Sequence, residues 1–370
     1  WLSGGINHLS LLMLNDHSAV LPGFTYGDAF PYAGSIETFS RAKTLFEREG
    51  RGDRLDNVSV PGPHKWYYSE KLAMIGWFRR HLRGETSAWP LDVAAVRRKD
   101  VGFRYPEGQT GLAGKSEGLV LDGKGVMSLP GARSVYDLMD DELTRLEALR
   151  PNGPDREAVR VTCGLVESNA EALDETTFEA DGCTVKKACL EQPDGFRAFV
   201  TAFLPKTVRG TPVMIASDTV APHTLTDAIC ECLEAGRPVA VAEARAFGSI
   251  EACLPRTTYW ARMGFDQEIA AYHVWLGRNL AVGRAEDYLA AGRWFRSQTG
   301  MAAELRAEGG AVVAAAHAYY FGRDRFDAFV ATKAPLSWTE LVRHPTTPLP
   351  RLSDLVFGAL KAYDWIDLVK

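Results

Sequence analysis

Residues 212–242, PVMIASDTVAPHTLTDAICECLEAGRPVAVA, carry the reading of the fold. Pro212 to Ala216 and Pro238 to Ala242 are short, continuously apolar runs, the pattern of strands buried on both faces. Between them Leu225 to Glu234 places apolar residues at helical spacing. Strand, helix, strand at this spacing is a βαβ unit, whose crossover is right-handed. Working downstream, helices are expected near Glu268 to Leu280 and Ala285 to Phe295. They are followed by a strand at Ala303 to Ala307, a helix from Gly310 to Tyr320 and a strand at Ala328 to Thr332. Working upstream, Val159 to Cys163, Cys183 to Leu190 and Phe196 to Leu204 read as strands, the last two joined by the turn Pro193-Asp194-Gly195. The expected class is α/β: a doubly wound, mostly parallel sheet with antiparallel strands at the start of the second half. No internal repeat is visible.

The first 85 residues show a shorter alternation. Leu9 to Asn15 reads as a buried strand, and a polar loop follows to Gly34. Ser35 and Glu37 mark a helix start, Ile36, Phe39, Leu45 and Phe46 repeat at helical spacing, and Gly50 supplies the stop. Asn57 to Val60 reads as a strand, Pro61-Gly62-Pro63-His64 as a loop, and Trp66 to Arg83 as a helix ended by Gly84. Residues 86–150 read as a linker with edge strands at Val101 to Tyr105 and Gly118 to Leu121, closed by a helix over Val135 to Leu149. The expected division is therefore 1–85, 86–150 and 151–370.

Composition narrows the function. The 370 residues are 46% hydrophobic and 24% charged, with 42 Lys and Arg against 47 Asp and Glu interspersed for a formal charge of -5. This is globular composition without the basic footprint of a nucleic-acid or anionic-membrane binder, and no apolar run approaches the length of a membrane span. Six cysteines (Cys163, Cys183, Cys189, Cys230, Cys232, Cys253) lack zinc-site spacing. They are expected to be free and mostly buried, with one or two disulfides as the alternative if the protein is exported, and they leave the compartment open.

A buried strand, a loop with an acid, a helix, a strand and a loop with a histidine is also a catalytic order. It is how a doubly wound hydrolase delivers the last two members of a Ser, Asp, His triad. Asp28 in Gly27-Asp28-Ala29-Phe30-Pro31 and His64 in Gly62-Pro63-His64 are the candidates, with Asp16 as the alternative acid. In that mechanism His64 takes a proton from a serine hydroxyl, and Asp28 fixes its tautomer. The competing reading makes Asp28 a loop cap and His64 a surface turn histidine.

Taken together, several motifs resemble one family. Leu11-Leu12-Met13-Leu14-Asn15, Phe30-Pro31 with Gly34, Gly62-Pro63-His64-Lys65 and Trp77-Phe78-Arg79-Arg80-His81-Leu82 look like the C-terminal part of acetylxylan-esterase-like α/β-hydrolases. The resemblance implies a serine-dependent carboxylic ester hydrolase, acting on a small-molecule or carbohydrate ester, with Asp28 and His64 in the acid and base roles. No metal or organic cofactor is needed. No G-x-S-x-G occurs anywhere, so the nucleophile is expected upstream of Trp1, and the chain alone is expected to be inactive.

The second half resembles the early part of the same family. Ala244-Arg245-Ala246-Phe247-Gly248 is similar to its D-x-R-G-x-G loop, and Arg284 to Leu289 to the helix before the nucleophile strand. Ala307-Glu308-Gly309-Gly310-Ala311 stands where G-x-S-x-G belongs, with Gly309 in the serine position. The resemblance thus implies a tandem protein: the tail of one hydrolase domain, then a degenerate copy that stops before its own acid. A non-catalytic scaffold for binding or dimerisation is the alternative. In this arrangement the Leu9 to Asn15 strand is expected beside the strand at Ala328 to Thr332.

Other residues have plainer readings. His317, and His273 with Tyr272 and Trp275, read as helix packing. Gly309-Gly310 lacks the following Lys-Ser/Thr of a phosphate loop, and Asp140-Asp141-Glu142 reads as a solvated helix end.

Overall fold

The computed structural model describes residues 6–15, 17–28, 30–89, 125–167, 170–218, 225–248, 265–344 and 351–370. The chain divides into two compact units: residues 1–132 with 255–263, and residues 133–254 with 264–370.

In the first unit the order is α1 (His8–Met13), β1 (Gly23–Gly27), α2 (Tyr32–Arg48), β2 (Val58–Pro63) and α3 (Tyr68–Arg83). β1 and β2 pair in parallel, from Gly23 opposite Val58 to Gly27 opposite Pro63, with α2 as the crossover. Ala42 and Phe46 of α2 are fully buried against Leu55, with Leu9, Leu12 and Met13 packed onto them. Lys43 Nζ ties down the loop entering β2 by donating to the Gly52 and Leu55 carbonyls at 2.6 and 2.7 Å.

The expected strand at Leu9 to Asn15 is instead α1. Asn7 caps it, its side chain accepting from the Ser10 backbone N–H at 2.9 Å, and a short apolar run does not by itself separate a strand from a buried helix. With no strand there, the expected ladder beside Ala328 to Thr332 does not form. α2 starts three residues before Ser35, behind Pro31, and the Ser35 hydroxyl turns back to the Pro31 carbonyl. β2 runs on through Pro61-Gly62-Pro63, which a parallel edge strand tolerates.

The second unit begins with α4 (Val135–Leu149) and α5 (Arg156–Cys163), then the strands β3 (Glu171–Ala180), β4 (Cys183–Glu191), β5 (Arg197–Pro205) and β6 (Val213–Ala216). α6 (Thr226–Glu234), β7 (Val239–Glu243), α7 (Phe265–Trp275) and α8 (Leu280–Thr299) follow. β8 (Ala303–Glu308), α9 (Val312–Phe321), β9 (Phe326–Thr332) and α10 (Trp338–Arg343) complete it. One seven-stranded sheet has the order β3-β4-β5-β7-β6-β8-β9. The β3, β4, β5 and β7 neighbours are antiparallel, and β7, β6, β8 and β9 are parallel. This is an α/β sheet of the hydrolase-like, doubly wound kind, mixed as the sequence pattern requires. α8 and α9 are buried on nearly every side, which explains why neither reads as amphipathic.

One expectation fails in this unit, and one strand was not anticipated. Val159 to Cys163 lies in helix α5, because Asp155 accepts from the Ala158 N–H at 2.8 Å and Gly164 closes the turn with φ 72°. β3 escapes the sequence pattern because nine of its ten residues are exposed, leaving no apolar alternation to read.

Candidate functional site

The first unit brings Asp28 and His64 together. Asp28 follows the carboxyl end of β1 and His64 that of β2, the position at which α/β sheets present their reactive side chains. Gly62 sets the approach. Its φ is 125°, and a Cβ there would lie 1.9 Å from the Tyr67 hydroxyl, which donates to the Pro63 carbonyl at 3.1 Å. Only glycine fits at this point of β2, two residues before His64.

His64 Nδ1 lies 2.9 and 3.0 Å from the two Asp28 carboxylate oxygens. A carboxylate at Nδ1 holds the proton there and leaves the Nε2 lone pair facing outward. His64 is 69% exposed while Asp28 is 16% exposed, so the acid is sheltered and the base is open. Thr25, itself buried, donates from its hydroxyl to Asp28 at 2.8 Å, and the Phe30 N–H donates at 3.2 Å. Burial alone would raise the Asp28 pKa, but the hydrogen bonds from His64, Thr25 and Phe30 outweigh it and hold the carboxyl below its ordinary range.

A cavity of about 730 Å³ opens beside the pair, walled by Leu11, Leu12, Phe24 and Phe39 as well as Asp28 and His64. Ser35 also lines it, but its hydroxyl is turned to the Pro31 carbonyl at 3.4 Å and makes no hydrogen bond with His64 among those described. Asp16 lies outside the described residues.

Gly309 belongs to the second unit, between β8 and α9. It has φ 57°, so strand β8 turns sharply through a left-handed residue into a single 3-10 turn and then α9. A sharp strand-to-helix turn of this kind is also how a nucleophile elbow is built, and the residue at its apex here is glycine. Asp218, just past the end of the neighbouring strand β6, accepts from the Gly310 N–H at 2.8 Å.

The two motifs expected near this elbow meet in the interior. Arg245 donates through Nε and one terminal nitrogen to the Asp287 carboxylate at 2.9 and 2.8 Å, and through the other to Asp194 at 2.9 Å. Arg284 Nε donates to the Arg245 carbonyl at 3.0 Å. This buried network pins β7 to α8. Removing one partner of such a pair costs about 3–5 kcal/mol.

The remaining candidates are packing groups. His317 is fully buried, Nδ1 donating to the Val313 carbonyl at 2.7 Å and Nε2 accepting from the Tyr363 hydroxyl at 2.8 Å. Burial pushes its pKa down to about 4. His273 is bonded to the Ile269 carbonyl and stacked near Phe196, and Tyr272 donates to Glu268 at 2.6 Å. Asp141 and Glu142 pair with Arg133 and Arg145 on the surface. Cys163, Cys183 and Cys232 are buried, Cys189 is partly buried and Cys230 exposed, all as free thiols; Cys253 lies outside the described residues, as do the strands expected at Val101 to Tyr105 and Gly118 to Leu121. Among the described residues no helix is long and apolar enough to cross a membrane.

Sequence reasoning missed Thr25, Asp218 and Arg351. Thr25 carries a local signal, a Thr three residues before a loop Asp. Arg351 reaches Asp218 across 133 residues of chain at 3.2 Å and has none.

No protein-family model matches this chain, and no curated protein does. Solved structures do. A Bacteroides fragilis protein named as an acetyl xylan esterase aligns over 64% of this chain and 72% of its own, at 13% identity and TM-score 0.46. Acetyl xylan esterase 1 from Thermoanaerobacterium sp. aligns over 50% of this chain and 60% of its own, at 12% identity and TM-score 0.32. The acetyl xylan esterase from Paenibacillus sp. gives 50% and 62%, at 12% identity and TM-score 0.30. This chain thus spans less than two thirds of the length of the last two. The likeness is one of fold, and the fold assignment rests on the sheet topology itself.

Proposed function

We propose that the first unit supplies the acid and base of a serine-dependent carboxylic ester hydrolase, whose nucleophile lies in a segment upstream of residue 1. The observation that carries this reading is the hydrogen bond of His64 Nδ1 to Asp28, made across the carboxyl ends of two adjacent parallel strands. His64 Nε2 accepts the serine hydroxyl proton as the serine oxygen attacks the ester carbonyl. The resulting imidazolium, stabilised by Asp28, returns that proton to the departing alcohol, and water repeats the cycle on the acyl-enzyme. The esterase neighbours support a small-molecule or carbohydrate ester, including an acetylated carbohydrate, as substrate. No metal or organic cofactor enters this scheme.

The second unit is read as a non-catalytic hydrolase-fold scaffold, because Gly309 offers nothing to attack a carbonyl. The tandem arrangement, with the first unit as the tail of one domain and the second as a degenerate copy, is part of the proposal. The test is His64→Ala in the protein carrying its upstream segment. Turnover of a simple acetate ester is expected to fall by about 10⁴- to 10⁶-fold with an unchanged circular dichroism spectrum. Turnover within tenfold of the native protein removes His64 from the mechanism.

A further inference from the structure

β6 and β8 are neighbours in the sheet of the second unit, but the chain leaves β6 toward β7 and β8 toward β9. The crevice at their carboxyl ends is therefore the switch point of the sheet, where doubly wound folds bind ligands. In a hydrolase elbow, the N–H of the residue after the nucleophile holds the oxyanion, together with a donor from the loop after the adjacent strand. Here the residue after the elbow position is Gly310, and the loop after the adjacent strand begins at Ser217-Asp218.

The oxyanion position is occupied from within. One oxygen of Asp218, Oδ2, accepts from the Gly310 N–H at 2.8 Å and from Arg351 at 3.2 Å. The same oxygen would stand 2.9 Å from a Cβ built on Gly309, and the Arg351 guanidinium 1.1 Å from one built on Gly310. Both glycines are thus committed: the first leaves room for the carboxylate, the second for the guanidinium. Arg351 is held in turn by Asp354 at 3.3 Å. A side chain at Gly309 would crowd the Asp218 carboxylate, and one at Gly310 would collide with the Arg351 guanidinium.

We infer that the turn after β8 in the second unit holds a carboxylate-binding cradle made by the Gly310 N–H and Arg351, with Asp218 as its resident intramolecular ligand. The occupied cradle shuts the elbow to ester carbonyls. It also means that Gly309→Ser alone does not restore hydrolysis, since the new side chain meets Asp218 before any substrate. The inference does not depend on the role proposed for His64.

The experiment is chemical rescue of the whole chain. Asp218→Ala is expected to lower the melting temperature by about 4–8 °C, the loss of hydrogen bonds to a charged group in a unit of this size. Acetate is expected to restore it saturably, as ligand linkage requires, whereas chloride at equal ionic strength does not. The native chain and the double variant Asp218→Ala with Arg351→Gln are expected to ignore acetate. An acetate response in Asp218→Ala no larger than the chloride response overturns the inference. If Asp218→Ala does not fold, Asp218→Asn keeps the shape and removes the charge. A smaller drop in melting temperature is then expected, and an Asn variant as stable as the native chain overturns the inference.

Discussion

The two units place the same kind of feature, a loop at the carboxyl end of a parallel strand, under opposite conditions. In the first unit His64 is open to solvent, its Nδ1 held by a sheltered carboxylate and its Nε2 free of hydrogen bonds among those described. In the second, the turn after β8 is filled by groups of the same unit, Asp218 on the Gly310 N–H and Arg351 behind it. The first loop leaves an exposed ring nitrogen with spare hydrogen-bonding capacity, while in the second the backbone donor is already satisfied by an internal carboxylate. What separates them is where the spare hydrogen-bonding capacity points, not the fold, which both units draw from the same βαβ vocabulary.

The largest effect is expected at Asp28. Asp28→Asn keeps the size but lets His64 take the wrong tautomer. In the hydrolytically competent protein it is expected to lower kcat about 10⁴-fold; a change under tenfold would show that the pair is a surface contact.

The buried histidine gives the next effect. His317 stays neutral in the folded protein down to about pH 4, whereas unfolded histidine binds a proton near pH 6.5. Between those values the unfolded state binds more protons, so stability rises with pH across that window and the cost on acidification reaches roughly 3 kcal/mol. His317→Gln is expected to flatten the slope of unfolding free energy against pH from 4 to 6.5 and to leave ester turnover unchanged. An unaltered slope contradicts the assignment of His317 as a sealed core group.

Thr25 sharpens the comparison on a finer scale. Thr25→Val removes one of the bonds that hold the Asp28 carboxyl below its usual range. Its titration, followed by NMR, is expected to move up, with kcat lowered about tenfold and KM unchanged, the size of one hydrogen bond to a charged group. An unmoved titration denies Thr25 a positioning role. The smallest effect is chemical. Burial pushes the Cys163 thiol up to about 11, so alkylation of the native chain at pH 8 is expected to mark exposed Cys230 first; equal rates contradict the sealed interior.

How much of this was legible in the sequence follows from the physics of each element. β6 and β7 announced themselves because strands buried on both faces are almost uniformly apolar, whereas β8 alternates between buried and half-buried residues and β9 is largely exposed. The Asp28 and His64 loops were visible because Phe30-Pro31 and Gly62-Pro63 punctuate them. α1 and α5 were misread because each is short and apolar on the face that packs, so a cap (Asn7, Asp155) decided the outcome rather than periodicity. β3 was invisible because it is an exposed strand held by its ladder to β4. The Asp218 to Arg351 contact is purely tertiary. The resemblance placed Gly309 in a serine position, and the structure places the Asp218 carboxylate beside it.

Ester chemistry belongs, on this proposal, to His64 and not to the turn at Gly309. This assignment is tested most directly by treating the hydrolytically competent protein with a serine-directed fluorophosphonate and mapping the labelled peptide, with and without His64→Ala. The label is expected on a serine outside residues 133–370, at a rate that collapses in the His64→Ala variant. A label within the second unit, or a labelling rate indifferent to His64, would contradict the account.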